Sequence, residues 1–378
     1  MVKYWIKRGL FAAMAGLWAA SALAQNPPRT FHAEGSDTIQ AVGARHIAMG
    51  GTGTATANDP YAVFYNPARL AGIGDVMLTG TRQLDGTLRP YSFIGAAVPL
   101  GGVLDFGLDV TIGVARYNRV HARSTGAFAA TDPESVFLRY LLPGSSGTFD
   151  GVIDSKTLVN RFAVGLAHDA IPGLSIGANV DWIDCKTETC GVHGTSNGVE
   201  SRSVHATAVS FGVGVSYDVS DQLTLAASFT DINTTLDVDV ITTDQGGTRE
   251  GFFQAKLPRK LNLEAAYQLN EDWLFALGYQ KFWGDYGNYS LNFETVNAGV
   301  EWKQTDQLTW RGGAMGVIDL SASNGLQLNL PIRVVPTLGM GYRWGNVSAD
   351  IGVYAHPIMT LHKRFPDVSA DLSVTVRF

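Results

Sequence analysis

The chain ends in "ADLSVTVRF", where Leu372, Val374, Val376 and Phe378 alternate with Ser373, Thr375 and Arg377. Strict alternation predicts a strand with one apolar and one polar face. The same period recurs from Val76 onward. In the third such segment Leu104, Phe106, Leu108, Val110, Ile112 and Val114 share one side, and Asp105, Asp109 and Thr111 the other, with no break in the pattern. Near the end, Leu338, Met340, Tyr342 and Trp344 alternate with Thr337, Gly339, Gly341 and Arg343. Short turns and longer connections join these segments in strict succession. The short turns are Pro99–Gly102, Ala170–Gly173, Val219–Asp221, Asn270–Asp272, Gln304–Asp306 and Gly345–Asn346. The long connections are expected near 118–156, 188–200, 232–257 and 320–332, with smaller ones near 84–90, 284–290 and 362–366. Six short and seven longer connections divide the chain into about fourteen strands, an even number as single-chain bacterial barrels require.

The faces suit a membrane wall. Aromatic residues crowd the short turns: Tyr217, Tyr267, Trp273, Trp302, Trp310, Tyr342 and Trp344. Amphipathic rings gather where membrane meets water. The polar faces carry Arg161, Asn179, Asp181, Glu264, Glu301, Arg311, Arg343 and Asp350, which suit a solvated or ion-paired lumen and would be costly against lipid. Hydrophobic residues make up 46% of the chain, yet no apolar run after the leader is long enough for a spanning helix. The fold expected is therefore all-β: an antiparallel transmembrane β-barrel of about fourteen strands over residues 76–378, with both barrel ends and the short turns on the periplasmic side.

The start, "MVKYWIKRGLFAAMAGLWAASALAQ", places Lys3, Lys7 and Arg8 before an apolar stretch and Ala22-Leu23-Ala24 before Gln25. That is the pattern of a signal peptide over residues 1–24, so the chain is expected to leave the cytoplasm. Residues 25–75 have no spanning pattern and are too many for a turn. They contain "MGGTGTATANDPYAVFYNPARLAG", which suggests a phosphate-cradling loop. A nucleotide loop, however, follows a buried strand and opens a helix. Here Asn58-Asp59-Pro60 and Asn66-Pro67 interrupt the chain, and no Gly-Lys-Ser/Thr follows. A net charge of −6 with no basic stripe argues against nucleic acid. Cys185 and Cys190 are candidates for a loop-closing disulfide in an exported protein. A metal site is unsupported there, with His193 the only nearby soft ligand. The eight His are scattered and His205 reads equally as a lumenal polar residue, so no enzyme and no cofactor are expected.

The stretch from Gly43 to Ile73 resembles the N-terminal hatch of the FadL/TodX superfamily, which includes spirochaetal FadL-like and PorV-type relatives. Met49-Gly50-Gly51, Asp59 and Asn66-Pro67-Ala68 carry the resemblance, and the terminal strand ending on Phe378 is similar to the insertion signal of outer-membrane barrels. The resemblance implies a bacterial outer-membrane barrel whose residues 25–75 plug the lumen. It implies passive uptake of long-chain fatty acids or other hydrophobic small molecules, with outer-membrane lipid and the barrel-assembly machinery as further partners. Gly50, Gly51, Asn66, Pro67 and Ala68 would be the hatch elements whose shift gates passage. A PorV-type partner in protein secretion is the alternative. For ligand binding, Arg311 and Arg343 are lumenal candidates for a carboxylate, with ion pairing to Glu301 or Asp350 as the other reading. In "PESVFLRYLLPG", Phe137, Tyr140 and Leu141 share a helical face with Val136 and are candidates for a capture groove.

Overall fold

The computed structural model describes residues 30–84, 93–101, 107–128, 149–186, 191–196, 199–232, 234–286, 289–322, 326–327, 333–356 and 368–378. Fourteen of the described strands form a closed antiparallel wall. They are β1 (Met77–Gln83), β2 (Phe93–Pro99), β3 (Leu108–Phe128), β4 (Phe149–His168), β5 (Leu174–Lys186), β6 (Val199–Asp218) and β7 (Leu223–Thr230), followed by β8 (Arg259–Gln268), β9 (Trp273–Tyr286), β10 (Tyr289–Lys303), β11 (Leu308–Ala322), β12 (Val334–Trp344), β13 (Val347–Ala355) and β14 (Val368–Arg377). Neighbours in sequence are neighbours in space, and β14 pairs with β1 from Asp371↔Gln83 to Arg377↔Met77, which closes the ring. Closure satisfies every wall strand's backbone on both edges, the condition for crossing a bilayer with strands.

The period of two sets the faces. Leu78, Ile112, Phe162, Ile176, Leu277, Leu338 and Leu372 are exposed on the outside. Thr79, Arg161, Asn179, Asp181, Glu264 and Asn297 are buried on the inside. At the short-turn end Trp273 stacks on Trp302 with ring centroids 5.6 Å apart, and Tyr342 packs beside Trp344 at 5.7 Å. Trp310 Nε1 and the Tyr342 hydroxyl donate to Gln304 (2.6 Å) and Gln307 (3.0 Å) of the same turn, so each ring keeps its polar tip at the water side.

Several connections expected to be loops are instead strand. β3 and β4 pair from Leu108↔His168 to Phe128↔Phe149, with one bulge at Arg119, through much of the 118–156 region. Residues 232–257 contain a hairpin, Thr235–Asp244 with Gly247–Lys256, and Gly191–Ser196 bridges β4 and β6. β11 likewise continues to Ala322. The reason is an inversion of polarity. In the hairpin Leu236 and Val238 are buried inward while Asp237 and Asp239 are exposed. Above the lipid the outside is water, so the apolar face turns in. Leu104 and Phe106 lie outside the described residues.

Two features of the wall lie where the N-terminal strand meets it. β3 has a register shift between Asn118 and Val120, past the stretch to Val114 that alternates in the sequence, and Arg119 is buried there. A bulge adds one unpaired residue and re-aims a side chain. Among the described residues, β2 accompanies β3 from Thr111 to Tyr117. Beyond it, a strand formed by Thr30–Glu34 takes the same edge, pairing with His121–Thr125.

From Gly35 the chain turns inward. Helices α1 (Ser36–Ile39), α2 (Ala44–Ala48) and α3 (Ala62–Tyr65), then a 3-10 helix (Pro67–Gly72), lie inside the ring. Wall glycines leave room for them. A Cβ at Gly214 would stand 1.9 Å from the Asn66 Oδ1, and one at Gly177 would stand 2.4 Å from the Ala68 nitrogen.

Candidate functional site

The N-terminal segment is irregular, so its backbone polar groups need partners, and the inward side chains of the wall supply them. Glu264 of β8 accepts four backbone N–H bonds, from Gly53 (2.8 Å), Thr54 (2.9 Å), Ala55 (3.0 Å) and Thr56 (3.2 Å). The glycine loop that resembles an anion cradle is one, and its anion is a carboxylate of the protein's own wall. Gly50 has φ 71°, and a Cβ on it would stand 2.5 Å from the Ala298 carbonyl oxygen, so only glycine fits. Asn297 and Gln280 donate to the carbonyls of Gly50 (2.7 Å) and Gly51 (3.1 Å).

Asn66 has extended backbone, and its Oδ1 accepts from Ala68 N (3.1 Å), capping the 3-10 helix that Pro67 opens. Its Nδ2 donates to the Thr54 (3.1 Å) and Val215 (3.0 Å) carbonyls, binding the turn both to the glycine loop and to β6. The structure thus sets Gly50 and Gly51 against β10 and β11, and Asn66, Pro67 and Ala68 against β4 to β6, with the Asn66–Thr54 bond joining the two.

Three sets of charges hold this segment. Arg161 of β4 bonds Asp181 through both ends of its guanidinium (2.5 and 2.6 Å) and donates to the Val63 (3.3 Å) and Phe64 (3.1 Å) carbonyls at α3. Arg45 of α2 pairs with Glu301 (3.0 Å), which also takes Arg311 (2.6 Å), and Arg311 reaches Asp350 (2.6 Å). Arg311 is therefore placed in the ion-paired arrangement. Arg343 is exposed at the short-turn end and donates to the Asp306 carbonyl (3.2 Å). His205 is exposed and bonds Asp184 (2.9 Å).

The third set was not singled out in the sequence. Arg119, at the β3 bulge, bonds Asp37 of α1 (2.5 Å), Asp231 (2.7 Å) and the Pro258 carbonyl (3.0 Å), and Lys260 of β8 bonds Asp37 (2.7 Å). All four charged residues are buried. Two cations balance two carboxylates, as burial demands. The Lys260 ammonium also lies 5.3 Å from the Phe64 ring and 5.6 Å from the Phe282 ring. The only local sequence trace is "LPRK", where Pro258 ends one strand before Lys260.

Beside this quartet the inward faces are apolar. Phe64, Tyr117, Val159, Ile183, Leu236 and Val238 belong to one buried cluster, which Phe93 extends. Phe64 meets Tyr117 edge to face at 5.4 Å. The inner wall is thus polar where it holds the segment's backbone and apolar beyond it, not polar throughout. Phe137, Tyr140 and Leu141 lie outside the described residues, as does Cys190, so the capture-groove and disulfide readings rest on sequence alone.

Fold and site together define a class: an outer-membrane β-barrel with an N-terminal segment packed inside. Within that class the chain has the FadL/TodX-type fold. It matches the Ralstonia pickettii toluene transporter TbuX at 16% identity and TM-score 0.59, over 90% of this chain and 99% of that one. The Pseudomonas putida toluene transporter TodX matches at 15% identity and TM-score 0.59, with the same coverage. A Pseudomonas aeruginosa FadL homologue matches at 14% identity and TM-score 0.59, over 89% of this chain and 98% of that one. No known family profile matches the sequence, and no curated protein does.

Proposed function

We propose that this protein carries hydrophobic small molecules, such as long-chain fatty acids or aromatic hydrocarbons, passively into the outer membrane through a barrel gated by residues 25–75. The observation that carries this reading is the apolar cluster of Phe64, Tyr117, Val159, Ile183, Leu236 and Val238, bordered by the Arg119–Lys260 cations and closed below by the N-terminal segment. These side chains are buried against one another, so an apolar ligand would meet them once the N-terminal segment shifts and would then gain from their surface. Lys260 and Arg119 adjoin the apolar cluster, but Asp37 and Asp231 balance them as Glu301 and Asp350 balance Arg311, so a ligand carboxylate would have to compete with a carboxylate of the protein at either place. The solved structures of like fold include transporters of toluene and a FadL homologue, which supports the hydrophobic class.

The test is uptake of radiolabelled oleate and toluene by cells that express wild type or Val238→Trp. Uptake above empty-vector cells, lost in Val238→Trp, is expected. Uptake equal to the vector, with a protein co-purifying in mild detergent, would replace this reading with the secretion-partner one.

A further inference from the structure

The outward face carries a second concavity. A groove of about 580 Å³ runs across β6–β10, floored by the small side chains Ala227 and Ala265 and flanked by Leu225, Leu263, Leu277 and Tyr279. Register places these residues in two adjacent rows, Ala227↔Leu263↔Tyr279 and Leu225↔Ala265↔Leu277. The next row away from the short turns reads Phe229↔Leu261↔Lys281↔Glu294↔Asp319. Apolar side chains thus give way to charge within one step of the pleat.

That step falls at a definite height. Lys281 lies eight residues along β9 from Trp273, which stacks in the aromatic row at the short turns. At about 3.3 Å per residue and a tilt near 40°, the rise is roughly 20 Å, close to the far edge of an apolar band about 25 Å tall. The charged row therefore stands at the headgroups of the outer leaflet, directly above the groove.

Its chemistry is suited to a lipid phosphate. Glu294 is engaged by Lys281 (2.7 Å), the Tyr279 hydroxyl (2.9 Å) and Asn292 (2.9 Å). An ammonium has three protons to donate, and Lys281 is one-third exposed, so it can serve a second oxygen. It sits 5.7 Å from the Trp283 ring, which stacks on Phe229, and exposed Arg259 pairs in register with Trp283. Asp319 is aimed into the row by a bulge at Ile318 and takes bonds only from the neutral Asn292 (2.5 Å) and Ser321 (3.1 Å) among the contacts of this row.

We propose that this face binds one molecule of lipid A, the phosphorylated acyl glycolipid of the outer leaflet, with an acyl chain in the groove and a phosphate at Lys281 and Arg259. The site is on the outer wall and stands or falls separately from uptake through the lumen. Native mass spectrometry tests it, with the detergent-purified protein mixed with equal amounts of lipid A, phosphatidylglycerol and phosphatidylcholine. Wild type is expected to retain a single lipid A. Lys281→Glu, at the headgroup end, and Ala227→Trp, which fills the groove, are each expected to weaken that adduct by about tenfold. Heat-modifiable migration on a gel shows that each variant is folded, and either variant suffices if the other does not insert. Equal lipid A adducts on all three proteins would overturn the proposal. Retention of phosphatidylglycerol as firmly as lipid A would also overturn it, leaving only a generic lipid-facing dent.

Discussion

At the scale of single residues, Glu264 and the wall glycines explain why an irregular segment is stable inside a barrel. Four N–H groups converge on one carboxylate, and bonds to charged groups contribute about 1.5–3 kcal/mol each before coupling is considered. Glu264→Gln removes the charge and two of the acceptor sites. The loop's local opening free energy is expected to fall by about 3 kcal/mol, seen as roughly hundredfold faster amide hydrogen exchange at Gly53–Thr56. Unchanged exchange would show that the loop is held by its other contacts. The glycine pair Gly214 and Gly74 gives a sharper contrast. A methyl at Gly214 meets Asn66, whereas one at Gly74 meets nothing within 4 Å. Gly214→Ala is expected to insert as a barrel yet expose the 3-10 helix to protease, and Gly74→Ala to behave as wild type.

The N-terminal segment, as an element, is latched by a quartet whose charges depend on one another. Burial alone raises the Asp37 carboxyl, but Arg119 and Lys260 outweigh it and hold the group below its usual value near 3.8. A depressed carboxylate stabilises the folded segment above that value, and the contribution is lost as pH falls through the lower, folded value. Protease sensitivity of residues 30–60 is thus expected to be flat from pH 7 to pH 5 and to rise below about 3.8. Asp37→Asn leaves two cations facing Asp231 alone, a loss of about 3–5 kcal/mol, and should be sensitive at every pH. Sensitivity that is equal in both proteins at pH 7 would remove the latch. This element also shows what a sequence discloses. Asn66-Pro67-Ala68 was picked out through the resemblance of its turn, whereas the cap that Asn66 places on the 3-10 helix was not read from the sequence. The barrel was legible because Leu372, Val374 and Val376 must all face lipid. Arg119 was not, because a bulge is decided by the partner strand and leaves no mark on its own strand. Nor was the hairpin at Thr235–Lys256, where Leu236-Asp237-Val238-Asp239 alternates as a membrane strand does but with its apolar face turned inward.

For the whole molecule, the proposed uptake requires that a closed wall and a packed interior give way to a ligand. The edge of β3 from His121 to Thr125 is held by the strand Thr30–Glu34, which continues directly through Gly35 into α1 and Asp37. One covalent run thus covers the wall edge, enters the latch and leads to the interior segment. Under the proposed uptake, withdrawal of α1 would be mechanically tied to release of that edge, so the lumen and the lateral face would open together. A lock placed on the strand alone therefore decides whether passage needs this motion. Ala33 and Ala122 are directly paired, and residues opposite each other in an antiparallel pair lie about 4.5–5.5 Å apart at Cα, within reach of a disulfide. The double variant Ala33→Cys, Ala122→Cys, made with Cys185 and Cys190 replaced by Ser, is expected to lose oleate and toluene uptake when oxidised and to regain it with reductant. Each single variant should transport under both conditions. Uptake that persists in the oxidised protein would mean that ligands pass the segment without moving this strand, and that the β3 edge is part of the wall's permanent closure.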